Sequence, residues 1–173
     1  FYRAIDLAKK VGSDLILGTD PDSDRVGVMV RGADGEYHTI TGNQMGVLLL
    51  DYIITAHIRK GTLPENAVAL STIVTSKMVR RICDVNNIHF EETFTGFKFM
   101  AEKLAEYQRD GSYQYLLAFE ESYGYMMGDY VRDKDAVTAC VMITEMAAYY
   151  FEQGMTLAQA LDALYEKYGF YGE

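Results

Sequence analysis

Two kinds of hydrophobic pattern run along this chain, and the change between them falls near residue 40. Residues 1–11 carry an amphipathic helical pattern. Leu15, Ile16 and Leu17 form a short buried-strand run that stops at an acidic stretch, Asp20-Pro21-Asp22-Ser23-Asp24-Arg25. Residues 26–30 predict a second strand. Ala33-Asp34-Gly35 is a hairpin turn signal before a third strand at 37–40. This part opens in mid-helix, with no clear beginning of a domain.

Beyond it the period lengthens. Met45, Leu48, Leu49, Tyr52 and Ile53 recur at helical spacing and predict a helix over 43–58, closed by Gly61 and followed by a linker at Pro64. Residues 67–74 predict a buried strand. Ser76 is placed to cap a helix over 77–85. A short alternating strand follows at 88–93. Thr95-Gly96 opens a helix running to about Tyr107, and 115–119 read as another buried strand. Two helices, 135–153 and 157–168, complete the chain. Regular alternation of strand and helix predicts an α/β fold: a layered, mixed, mostly parallel sheet flanked by helices, with a partial domain before it. No repeat is visible in the sequence. In such sheets ligands sit at the carboxyl ends of the strands. The loops after 74, 94 and 119 occupy those ends.

The acidic stretch has the strongest chemistry. Asp20, Asp22 and Asp24 alternate directly after a strand, so their carboxylates can turn toward one point and hold a hard cation. A solvated acidic turn explains the same residues equally well. An EF-hand is excluded, because its sixth and twelfth positions would be Arg25 and Arg31 rather than Gly and Glu. Zinc is disfavoured, because it prefers Cys and His and this stretch has neither. Arg25 either neutralises the aspartates or grips a phosphate. Glu120, Glu121 and Ser122 follow a buried strand and offer acceptors and a donor to a polyol; they also suit a turn or helix cap. Lys134 is a possible phosphate or hydroxyl donor, beside Asp135 as a helix cap. Thr95-Gly96 lies at a strand-to-helix turn where backbone N–H groups suit an anion.

Composition narrows the class. The chain has 173 residues, 49% hydrophobic and 24% charged, enough for one domain or one and part of another. A net charge of −9 and the lack of a basic patch argue against nucleic acid. No apolar run reaches the roughly 18 residues of a membrane helix. Cys83 and Cys140 are far apart, with no metal spacing, and suit a reducing, cytoplasmic setting.

In order, the segments GTDPDSDR, VGVMV, TGNQMG, TFTGFKF, FEESYGY and VRDKDAV resemble the α-D-phosphohexomutases, most closely their bacterial phosphoglucomutase and phosphomannomutase branch. The resemblance covers nearly the whole chain. It implies a four-domain enzyme that interconverts hexose 1-phosphates and 6-phosphates through a phosphoserine and a 1,6-bisphosphate. It makes Asp20, Asp22 and Asp24 the Mg²⁺ ligands and puts Asp24 and Arg25 in the substrate phosphate region. Thr95, Glu120, Ser122 and Lys134 become contacts to the sugar phosphate, with Glu120 and Ser122 on the sugar hydroxyls. Residues 1–40 become the C-terminal part of the metal-binding second domain, and 41–173 the sugar-binding third domain. Pro21 and Ser23 replace the glycines common in the family's metal loop, and Phe119 replaces the Gly that often opens its sugar loop. The serine motif of the first domain and the phosphate-gripping motif of the fourth do not occur. The expectation is a piece of a mutase, inactive alone, whose partners are glucose or mannose phosphates and the missing first and fourth domains. The competing expectations are a non-catalytic phosphosugar-binding α/β module and a plain interaction domain.

Overall fold

The computed structural model describes residues 1–172. Helix α1 (Tyr2–Val11) leads into an antiparallel sheet of β1 (Leu15–Thr19), β2 (Val26–Arg31) and β3 (Tyr37–Ile40). The expected hairpin joins β2 to β3, pairing Arg31 with Tyr37, and Gly35 supplies the positive φ of 81°. Ala8 of α1 packs with Ile16, Met29 and Tyr37 on this sheet.

Helix α2 (Gly42–Lys60) starts at a capping box. Thr41 accepts from the Gln44 N–H, and the Gln44 side chain accepts from the Thr41 N–H. The remaining elements are β4 (Ala67–Thr72), α3 (Met78–Val85), β5 (His89–Thr93), α4 (Phe97–Asp110), β6 (Gln114–Phe119), β7 (Tyr125–Met126), α5 (Ala136–Glu152) and α6 (Leu157–Tyr168). They build a second sheet in the order β5-β4-β6-β7, in which only β7 is antiparallel. The fold is thus a mixed, mostly parallel sheet flanked by helices.

β4 lies at its centre and is buried at every position. The two-residue period of the strands divides the core. Ala67, Ala69, Leu117 and Phe119 pack with α2, α3, α5 and α6, whereas Val68, Leu70 and Ala118 pack with Phe97, Met100 and Leu104 of α4. A buried charge joins α6 to α2: Asp51 accepts from the Tyr168 hydroxyl at 2.6 Å and from Lys167 Nζ at 2.9 Å. Both partners are needed to compensate its desolvation.

The sequence shows no repeat, yet the backbone uses one plan twice. α1, Gly12, β1, an acidic loop and antiparallel β2 match α4, Gly111, β6, an acidic loop and antiparallel β7. Gly12 and Gly111 end their helices with φ of 71° and 69°. In each loop the first residue donates its N–H across the turn, Asp20 to the Arg25 carbonyl and Glu120 to the Gly124 carbonyl. Each loop also holds one non-glycine residue at positive φ, Ser23 at 57° and Tyr123 at 68°. Asp20 and Glu120 therefore occupy corresponding places, the first position beyond a strand.

Several boundaries differ from the sequence pattern: α2 runs to Lys60 rather than 58, and α4 to Asp110 rather than about Tyr107. β4 ends at Thr72 instead of 74, and Ile73 and Val74 are exposed. The Thr75 N–H donates to the Thr72 carbonyl and the Thr72 N–H to the Thr75 hydroxyl, so the chain turns there despite its apolar residues. α3 starts at Met78; Ser76 still serves its entry, accepting from the Met78 N–H at 3.3 Å. β7 has two residues, too few for a period to register. No helix among the described residues is long and apolar enough to cross a membrane.

An alanine Cβ at Gly46 would overlap the buried Phe119 ring. Gly46→Ala is expected to lower stability by about 1–3 kcal/mol in urea denaturation. Cys83 is fully buried and its thiol is pushed up to about 12, chiefly by burial. Iodoacetamide at pH 8 should label half-buried Cys140 first and Cys83 only on unfolding.

Candidate functional site

The acidic loop brings its three aspartates together. One carboxylate oxygen from each of Asp20, Asp22 and Asp24 lies within 4.8 Å of the others. Asp20 is held from behind, its Oδ1 accepting from the Asp24 and Arg25 N–H groups at 3.2 and 3.1 Å. Burial works to raise its pKa. The backbone donors at Arg25 and Asp24, contact with the Asp24 side chain and the Arg25 charge outweigh it and hold Asp20 below the usual carboxylate range. Arg25 Nε lies 3.3 Å from Asp20 and 3.4 Å from Asp24. Its two Nη groups have no protein partner among the described residues and are available to an anion. Three carboxylates without nitrogen or sulfur donors form a hard-cation set, and the residues fit Mg²⁺.

This loop is docked on the loop after β6. Arg25 and Gly124 form an isolated antiparallel bridge, and the Val26 N–H donates to the Tyr123 carbonyl at 3.2 Å. The Ala136 N–H, at the start of α5, donates to the Ser23 carbonyl at 3.0 Å. Lys134 ties the two together. Its Nζ lies 3.1 Å from Asp24 Oδ2 and 3.0 Å from Asp133, over the Phe97 ring, and its stem crosses Gly124, where any Cβ would collide. Burial works to lower the Lys134 pKa, but Asp133 and Asp24 more than offset this and hold the ammonium above its ordinary value. Asp135, as expected, caps α5 through the Val137 and Thr138 N–H groups.

Glu120 is buried and Ser122 half-buried. The Ser122 hydroxyl donates to Glu120 Oε2 at 3.3 Å, and Glu120 Oε1 accepts from the Gly96 N–H at 2.8 Å. The anion that the turn before α4 was expected to meet is therefore Glu120 itself. Thr95 lies exposed beside it, ahead of Gly96, whose φ of 111° needs a glycine. Asp20, Asp22, Asp24, Arg25 and Lys134 form one continuous cluster. Glu120, Ser122 and Gly96 form a second, joined to the first through the 123–124 backbone.

Sequence reasoning gave no role to Thr72 or Gly42 and set Glu121 beside Glu120 as a polyol acceptor; in the structure all three support this loop. The Thr72 hydroxyl donates to Glu121, and a Cβ at Gly42 would strike the Glu121 carbonyl. The capping box spelled by Thr41 and Gln44 was a usable signal that α2 begins beneath the loop.

The fold is an α/β domain that carries these clusters at its strand ends. Residues 41–168 match the family described as "Phosphoglucomutase/phosphomannomutase, alpha/beta/alpha domain III", and the chain belongs to that family. A phosphoglucomutase from Staphylococcus aureus (strain USA300) is 37% identical over 169 residues, covering 98% of this chain and 30% of that protein. The chain thus spans about a third of this curated relative. A protein from Thermus thermophilus assigned as a phosphomannomutase superposes with TM-score 0.73 at 20% identity, over 98% of this chain and 36% of that one. An N-acetylphosphoglucosamine mutase from Aspergillus fumigatus, solved with GlcNAc-6P and magnesium, superposes with TM-score 0.65 at 13% identity, over 92% and 36%.

The Lys134 ammonium competes with any cation for Asp24. Lys134→Ala should therefore bind Mn²⁺ a few-fold more tightly, read from paramagnetic broadening of the amide signals of residues 20–25. Unchanged binding would mean that the ion pair is energetically silent.

Proposed function

We propose that this chain is the metal-holding and sugar-reading part of a phosphohexomutase that interconverts hexose 1-phosphates and 6-phosphates, with glucose or mannose phosphates as substrates. The observation that carries this is the docking of the three-aspartate loop against the loop of Glu120 and Ser122 through Arg25–Gly124 and Lys134–Asp24. Residues 1–40 then form the C-terminal part of a metal-binding domain and 41–173 a sugar-binding domain. Two observations support the division: the two sheets are separate, and the family match begins at residue 41. The phosphoserine and the grip on the distal phosphate would come from domains outside this chain, through a 1,6-bisphosphate intermediate. The segment alone is then inactive. Its two unpaired cysteines suit a reducing, cytoplasmic setting.

Asp20, Asp22 and Asp24 would hold Mg²⁺, which when bound supplies electrostatic stabilisation of phosphoryl oxygens. Arg25, held by its Nε, presents its Nη groups to a phosphate as a rigid fork. Lys134 holds a positive charge at the junction of the loops. The Glu120 carboxyl keeps lone pairs beyond those used by Gly96 and Ser122 and accepts from adjacent sugar hydroxyls. Ser122 adds a hydroxyl beside it, and exposed Thr95 adds one at the rim. Asp20, Asp24, Arg25, Lys134, Glu120 and Ser122 are held by protein contacts before substrate arrives, so little of the binding energy is spent on ordering them.

In the full-length mutase, Asp22→Ala should lower kcat for glucose 1-phosphate by ~10²-fold or more. Glu120→Ala should mainly raise KM, by about tenfold. Wild-type turnover by Asp22→Ala, or in the presence of excess EDTA, would end the metal assignment.

A further inference from the structure

Glu120 and Glu121 are adjacent, yet their carboxylates leave in different directions. Glu120 accepts from Gly96, in the turn between β5 and α4. Glu121 Oε2 accepts from the Thr72 hydroxyl at 3.2 Å, at the C-terminal end of β4 where the turn toward α3 begins. One dipeptide therefore fastens the loop after β6 to the strand-end loops on β4 and β5, one glutamate to each. β4 pairs with both other strands, so these three loops sit side by side.

The link to Thr72 has a defined direction. Thr72 and Thr75 are both buried, and their hydroxyl oxygens lie 2.8 Å apart. Thr72 has one hydroxyl proton, and it goes to Glu121. The Thr75 hydroxyl must then be the donor to Thr72, while Thr75 Oγ1 accepts from the Thr72 N–H at 3.2 Å. Every proton in this chain of bonds has one place, and the chain ends on an acceptor-only carboxylate. Beneath it, Gly42 backs against the Glu121 carbonyl, and the Gly42 carbonyl accepts from the Tyr125 hydroxyl at 3.4 Å. Glu121 is held at both side chain and backbone, with Glu120 and Ser122 on either side.

We propose that Glu121 is a positioning residue for hexose recognition: through the Thr72–Thr75 hydroxyl relay it fixes the loop so that Glu120 and Ser122 meet the sugar in one register. This rests on the assignment of Glu120 and Ser122 to the sugar hydroxyls. Glu121 itself does not touch the sugar. It acts on affinity and on discrimination between epimers, because a loop free to shift by a fraction of an ångström meets more than one hydroxyl arrangement.

The test is steady-state kinetics of the full-length mutase with glucose 1-phosphate and mannose 1-phosphate, and melting temperature as a control. Glu121→Ala and Thr72→Val should each raise KM about tenfold with kcat within about threefold, and narrow the ratio of kcat/KM between the two sugars. The double variant should be no worse than either single one, since both remove the same link. Thr72→Ser keeps the hydroxyl and should restore KM. If Glu121→Ala fails to fold, Glu121→Gln, which keeps the shape and one acceptor, should raise KM about threefold. A fall in melting temperature with KM unchanged, additive effects in the double variant, or no recovery by Thr72→Ser would overturn the proposal. Glu120→Ala, measured in parallel, separates the two levels. If it raises KM while Glu121→Ala does not, only the positioning role fails. If it leaves KM unchanged, the sugar assignment fails and the positioning role with it.

Discussion

Three carboxylates drawn within 4.8 Å of one another repel, and the fold around them is arranged to hold them there. The compensation comes from several elements. Two backbone N–H groups stand behind Asp20, Arg25 lies beside Asp20 and Asp24, and Lys134 reaches Asp24 from the other sheet's side of the molecule. The loop also presents the Ser23 carbonyl to the first N–H of α5, which places the positive end of a long helix next to the acidic cluster. A divalent cation would complete a neutralisation that the protein has only partly made.

The same contacts join the two sheets. The small antiparallel sheet and the larger mixed one meet where the Arg25–Gly124 bridge and the Val26–Tyr123 hydrogen bond continue strand-like pairing from one loop to the other. Lys134 reinforces that seam with an ion pair partly shielded by Phe97, a setting in which it is screened less than an exposed pair. Charge balance in the acidic loop and alignment of the two loops are thus one constraint. Gly124 is the narrow point of the seam, because the lysine stem occupies the space a side chain would need.

The repeated plan of helix, glycine, strand and acidic loop explains why both loops stand at strand ends. Each loop starts on an acidic residue whose N–H is used across the turn, so its carboxylate leads away from the strand. Past that residue the two loops use their acids differently. In the first loop alternate aspartates converge on one point. In the second, successive glutamates diverge to two neighbouring loops. One backbone device therefore yields either a cation-type cluster or a rigid polar surface, depending on the spacing of its acids.

Most of the fold was legible from the sequence because it depends on local period and short-range punctuation. The helical spacing of Met45, Leu48 and Ile53, the buried run of β6 and the turn at Gly35 each require only neighbours. The aspartate triad was likewise visible in its spacing. What the sequence did not disclose depends on groups far apart in the chain or on hydrogen bonds that no period marks. The end of β4 at Thr72 needs the Thr72–Thr75 turn. The fate of Glu120 is decided by Gly96, and that of Glu121 by Thr72. The repeat of backbone plan leaves no sequence trace, because Asp20 and Glu120 share a geometry without sharing their surroundings. Period and residue type fix which elements form and which residues carry charge. Only the packing of β4 between its neighbours decides which loops touch, and therefore which of those charges act together.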